Sequence, residues 1–262
     1  MIYLVFFVVC FLASVIGAIC GIGGGVVIKP VLDALGLLDV DVISFLSGCT
    51  VLSMTTYSVL KGKQSGQSRI NQKTGIPLAL GAAVGGLLGK VLFSWVLAAS
   101  PDKDAVGAVQ STCLMLVTVG TFVYTIFKSR VKTLHVKNVL CCAGIGMALG
   151  IMSSFLGIGG GPINLVVLFY FFSMTTKVAA ENSLYIIFFS QIASLLSSLV
   201  AGSVPEFQIG VLVLMAAGGI CGGIVGRALN RKLKDQTVDR LFMGIMAVII
   251  FINIYNIWKF MG

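Results

Sequence analysis

The sequence predicts an all-α polytopic membrane protein, built as two inverted repeats of about five segments each and carrying roughly eight to ten transmembrane helices. Three observations lead there. Hydrophobic residues make up 58% of the chain and charged residues only 10%, whereas a soluble domain carries about 25% charged residues. Apolar runs follow one another along the whole chain, separated by short polar loops. The pentapeptide GIGGG occurs twice, at Gly21–Gly25 and Gly157–Gly161, each time after a long apolar run and at the head of a shorter one.

The runs fall at 2–20, 24–38, 42–60, 75–98, 105–127, 138–156, 160–174, 178–201, 207–226 and 240–258. Most reach the roughly 17–25 residues that cross a bilayer as helix. The exceptions, 24–38 and 160–174, both start inside a GIGGG copy and are expected as broken or short helices. The first run has no Lys or Arg before it, the first being Lys29. It therefore reads as mature structure and not as a cleaved signal, which needs a basic leading region.

The loops sort by charge. Lys61, Lys63, Arg69 and Lys73 lie in 61–74; Lys128, Arg130, Lys132 and Lys137 in 128–137; Arg227, Arg231, Lys232, Lys234 and Arg240 in 227–240. The alternate loops hold Asp39 and Asp41, Lys103 between Asp102 and Asp104, and Glu206. Basic loops stay in the cytoplasm. That placement gives ten crossings with both termini outside, or eight if the two short runs are re-entrant. It also accounts for the +9 net charge without nucleic acid as a partner. The partner it implies is the lipid of a plasma or inner membrane.

The repeat extends past the glycines. Gly85-Gly86-Leu87-Leu88-Gly89-Lys90 matches Gly222-Gly223-Ile224-Val225-Gly226-Arg227 at an offset of 137 residues, against 136 for GIGGG. The basic loop 61–74 corresponds to the acidic 202–206, so equivalent loops lie on opposite sides. The units are 1–130 and 138–262, joined by a basic cytoplasmic loop at 131–137. Inverted repeats with interrupted helices at matching places are a recurring architecture of alternating-access carriers, with the substrate at the interruptions.

In lipid, irregular backbone survives only where protein or a wet cavity surrounds it. A helix opening at such a break offers N–H groups and a positive dipole end, which suit an anion. Gly21, Gly23, Gly24 and Gly25, with Gly157, Gly159, Gly160 and Gly161, are thus candidate substrate-binding residues; a tight turn or a small-residue helix contact is the plainer alternative. Lys29 and Asp33, four apart, share a helical face. Lys29 either attracts the anion or pairs with Asp33. Asn164 sits on the matching segment of the second half. Glu181, Asn182 and Ser183 open the next run and match Gly48, Cys49 and Thr50; Thr50, Asn182 and Ser183 are candidate ligands and Glu181 a candidate proton carrier. Gln191 reads as interhelical glue. The glycines before Lys90 and Arg227 suggest close helix packing, and those two charges are expected to snorkel. The seven cysteines show no metal-ligand spacing and read as packing residues. With His135 alone in a basic loop, neither a metal nor a cofactor is expected. No nucleophile–base spacing points to an enzyme.

These features together resemble the sulfite exporter TauE/SafE family of membrane transporters. The resemblance covers nearly the whole chain. It rests on the doubled G-x-GGG segments with Pro30 and Pro162, and on the small-residue repeats near the end of each half. The family moves sulfur-containing and other organic anions, so the resemblance implies a small anionic substrate. Family members often carry a small hydroxyl cluster after the short segment, here Ser47–Thr50 and Asn182–Ser183. Glu181 and Asn182 depart from that pattern. The alternatives are a cation-coupled carrier of another solute and a membrane scaffold without transport. The sequence leaves the oligomeric state open, a homo-oligomer included.

Overall fold

A computed structural model describes residues 2–64, 70, 72–100 and 103–261; Arg69 and Asp102 of the loop reading lie outside the described residues. Ten α-helices are described, one for each apolar run: α1 Ile2–Cys20, α2 Gly25–Leu35, α3 Val40–Gln64, α4 Gln72–Ala99, α5 Lys103–Phe127, α6 Val139–Phe155, α7 Pro162–Phe172, α8 Thr176–Val200, α9 Ile209–Lys232 and α10 Asp235–Met261. Seven of them are long and apolar enough to span a bilayer, and α6 is slightly shorter at 17 residues. Large apolar side chains such as Trp95, Leu140, Phe251 and Trp258 are exposed on the outside. Ser14, Ser47, Asn164, Asn182 and Gln191 are buried. An apolar exterior, with the polar groups held inside among apolar side chains, is what lipid as solvent selects.

The short runs resolve into helices of 11 residues each, about 16 Å long at 1.5 Å per residue. That is roughly half of a 30 Å hydrocarbon core. Contacts place the ends. Tyr3 at the start of α1 donates to Gln208 before α9, and Phe45 near the start of α3 packs on Phe207. Lys259 at the end of α10 donates to the Asp33 carbonyl at the end of α2. At the opposite end, Lys128 pairs with Asp239, Thr176 with the same carboxylate, and Arg227 reaches Ser58 near the end of α3. The basic segments thus share one end, and the Asp39 and Glu206 segments the other. α1 runs to the basic end, and the chain turns back through GIGGG. α2 then returns from the interior to the acidic end. Two half-length helices keep the loop order of a ten-segment scheme.

The most extensive helix pairs are α4 with α6 and α1 with α9. Glycine ridges make them possible. A methyl group placed on Gly81, Gly85 or Gly89 of α4 would overlap the backbone of Ala143, Met147 or Ile151 of α6. On α9, Gly218, Gly222 and Gly226 face Phe7, Phe11 and Val15 of α1 in the same way. Such small-xxx-small ridges let backbones touch, and dispersion and Cα–H···O contacts then hold the pair. At the 137-residue offset, α1 is equivalent to α6 and α4 to α9. Each pair therefore joins the first helix of one half to the fourth helix of the other. The long helices α3 and α8 lie between, in contact with each other and with α9 and α4 respectively.

Candidate functional site

The two GIGGG segments break the helices with matching backbones at their first and third glycines, and diverge after that: Gly24 is helical (φ −68°) where Gly160 has φ of 143°. Gly21 and Gly157 have φ of 76° and 65°, and Gly23 and Gly159 have φ of 73° and 65°. Side-chain-bearing residues avoid this left-handed region, which is why glycine recurs at both equivalent positions. α2 begins directly at Gly25. α7 begins at Pro162, with Gly161 as the capping residue.

The breaks meet at the centre of the molecule. A methyl on Gly25 would overlap the Ile158 carbonyl, one on Gly160 would come within 3.2 Å of the Ile22 carbonyl oxygen, and one on Gly23 within 3.5 Å of that of Gly159. The N-termini of α2 and α7 therefore converge from opposite ends on one region. At the head of α2 the Val27 and Ile28 amides donate to the Gly24 carbonyl, which leaves those of Gly25 and Val26 without a partner in the helix; at the head of α7 Pro162 has no N–H and Asn164 donates to the Gly161 carbonyl, which leaves the Ile163 amide. At Gly25, Gly157 and Gly160 there is no room for a side chain, and in this conformation the segments form a closed waist.

The polar candidates distribute unevenly around it. Ser47 of α3 lies close to Gly25, and Ser44 close to Gly157. With Val51, which packs on Gly159, they form one stripe of α3 at helical spacing. Thr50 falls on another stripe. Its hydroxyl donates to the Leu46 carbonyl at 2.9 Å, and its flank fills the space left by Gly219 of α9. Thr50 is thus turned from the breaks. Ser47 belongs to the Ser47–Thr50 hydroxyl cluster that the family resemblance pointed to, whereas Ser44, one helical turn before it, was not singled out by the sequence. On the second half, Asn164 is buried on α7, and its Oδ1 has no hydrogen-bond partner among the described residues. The same holds for the Ser183 hydroxyl on α8. Asn182 donates to the Val178 carbonyl at 2.8 Å. Gln191 lies beside both Gly48 and Gly159, so it borders the waist as well as joining helices.

Lys29 and Asp33 form the ion pair that their spacing allows, with Nζ–Oδ2 at 3.0 Å and both side chains buried. The positive charge of Lys29 is thereby matched within α2. The expectation that Lys90 and Arg227 snorkel is corrected: both turn inward. Lys90 is only 9% exposed and borders a polar cavity on the acidic-end side of the waist, with Ser44, Gly48, Ser153, Ser154, Gly157 and Gln191 around it. Arg227 borders a smaller cavity on the basic-end side with Ser58, Gly62 and Glu181. There it donates to the Ser58 carbonyl at 2.6 Å and lies 4.0 Å from the Glu181 carboxylate. The small residues of each ridge let these long side chains fold inward, since the neighbouring backbone offers no competing side chain.

Comparisons with known proteins agree with this architecture. A family model described as sulfite exporter TauE/SafE matches residues 6–252. The chain is 25% identical to the "Probable membrane transporter protein YunE" of Bacillus subtilis (strain 168), over 95% of each chain. It is 26% identical to a "Probable membrane transporter protein" of Haemophilus influenzae, over 93% of this chain and 94% of that one. Its match to the "Probable membrane transporter protein MamO" of Paramagnetospirillum magneticum is 28% identical and covers 41% of this chain but only 18% of that protein. No solved structure matches. With its helices, its paired breaks and a family match along almost its full length, this multi-pass membrane protein belongs to the sulfite exporter TauE/SafE family of membrane transporters.

Proposed function

We propose that the chain carries small anions, sulfur-containing or organic ones of the sulfite and sulfonate kind, across the cell membrane by alternating access, and that it is a transporter without enzymatic activity. The observation that carries this reading is the convergence of the α2 and α7 N-termini at the centre. Two positive dipole ends aimed at one buried region favour negative charge there. Asn164 and Ser183 supply further polar groups nearby. Rocking of one half against the other would open the waist to one side at a time, with the glycine segments as the parts that separate. Glu181, 4.0 Å from Arg227, is kept in this reading as the candidate carrier of a coupling proton.

The reading is tested by reconstituting the protein in liposomes. Flux and thermal stabilisation are then measured with sulfite, thiosulfate, sulfoacetate, sulfate and simple carboxylates. One anion should be moved and should stabilise selectively. Gly161→Ala is the informative variant: Gly161 has an extended backbone (φ −172°), and the added methyl meets only the flexible end of Ile158. It should fold normally and lower the flux. No flux and no stabilisation with any of these anions, in well-folded protein, would sink the anion reading in favour of a cation-coupled carrier or a scaffold.

A further inference from the structure

We propose that the cavity headed by Lys90 is an oxyanion-binding site, the place where the substrate is held on the acidic-end side of the closed waist. This rests on the anion-carrier reading and assigns the residues of one station on its path. Lys90 is buried on α4, and its ammonium lies 4.9 Å from the centre of the Phe93 ring. Among the described residues no carboxylate comes within ion-pair distance of it; Asp41, on the first turn of α3, acts on it only from farther away. A buried cation in a membrane protein is expensive unless an opposite charge or water meets it. An aromatic ring contributes modestly to that. The other buried lysine of the interior, Lys29, has its carboxylate at 3.0 Å.

The cavity provides what an oxyanion needs. The hydroxyls of Ser153 and Ser154, at the end of α6, are buried and have no hydrogen-bond partner among the described residues. The Gln191 amide, Gly48 and Gly157 border the same space. One fixed cation with several directional donors matches a small anion with several oxygen atoms. The comparison with the equivalent position in the second half sharpens this. Arg227 is engaged by the Ser58 carbonyl and has the Glu181 carboxylate at 4.0 Å, although its Nε has no partner among the described residues; that cation has a carboxylate at hand, and Lys90 does not. In this conformation, therefore, the acidic-end cation is the one without a carboxylate at ion-pair distance among the described residues; its cavity, about 20 Å³, is water-sized and has to widen to take an oxyanion.

The experiment is titration of purified full-length protein in nanodiscs with sodium sulfite at constant ionic strength, followed calorimetrically, alongside sulfite flux in liposomes. Lys90→Gln should weaken sulfite binding roughly tenfold or more, the loss expected for a charge-assisted hydrogen bond. Lys90→Arg should retain most of the affinity. The Ser153→Ala/Ser154→Ala double variant should weaken binding by a smaller factor. Wild-type affinity in folded Lys90→Gln overturns the site, and so does wild-type affinity in the double variant should Lys90→Gln not fold. If wild-type protein moves sulfite, Lys90→Gln matches it and Gly161→Ala does not, only the Lys90 assignment falls. If wild-type protein neither binds nor moves any anion of the panel, the anion reading falls and this site with it.

Discussion

At the scale of single residues, the glycines of the two breaks differ sharply in what they tolerate. Gly21 has φ of 76° and faces the backbone of Ala180. Gly21→Ala therefore combines about 1–2 kcal/mol of left-handed strain with overpacking worth about 1–3 kcal/mol. Gly120, on α5, has open space where a methyl would go. Gly120→Ala should be neutral or slightly stabilising, because alanine favours the helix by about 1 kcal/mol over glycine. Denaturation of the two variants in the same detergent checks the contrast. The buried Lys29–Asp33 pair gives a second prediction. Asp33→Ala strands a buried ammonium and should destabilise by about 3–5 kcal/mol, whereas Lys29→Met/Asp33→Leu should stand close to the wild type. If the double variant also keeps its flux, Lys29 serves the fold and not the substrate. The pair was legible from its spacing of four. The inward turn of Lys90 was not, because side-chain direction on a helix depends on which neighbour covers which face. Nor could the sequence alone separate Ser44 and Ser47 from Thr50: adjacent hydroxyls on a helix point to different partners, and only the position of α9 settles which is which.

At the scale of elements, the lesson concerns half-length helices and ridges. Apolar runs located all ten described helices, with ends up to six residues off where the helices continue into basic segments, as at the end of α9, since lipid demands long unbroken apolar segments. The two short ones were recognisable by their glycine heads. Whether they crossed was not, because a run of about 15 apolar residues fits either a tilted crossing or a half-length helix. The structure answers by ending α2 and α7 after 11 residues. Repeated GG-x-x-G was readable as close packing, and the ridges of α4 and α9 agree with it. Gly85 of α4 sits against the Met147 carbonyl of α6. Gly85→Leu should separate the two helices, lower the melting temperature markedly and reduce the yield of monodisperse protein. Unchanged melting would mean that the α4–α6 contact is not the tight one described.

At the scale of the whole molecule, charge and topology make one prediction together. The basic segments share one end, and by the positive-inside rule that end faces the cytoplasm. In intact cells a membrane-impermeant maleimide should label Ser203→Cys, beside the Glu206 segment. It should label Lys132→Cys only after permeabilisation, both in a background without the native cysteines. The opposite pattern would invert the orientation. The broad architecture was legible because apolar runs follow one another along the chain and two motifs recur at almost the same offset. The partnership of helices was not, since an offset says which segments are equivalent but not which of them touch. That partnership, α1 on α9 and α4 on α6, bears on how the protein is made. α1 leaves the ribosome ahead of the other described helices, and its main neighbour, α9, follows eight helices later. Until α9 follows, the face of α1 built to meet glycines has only lipid or an insertase against it. The first half cannot finish folding alone, so synthesis of the second half sets the moment at which the molecule closes. Truncation after α5 should leave a product for quality control to degrade, while separate expression of both halves in one cell should restore the assembled protein.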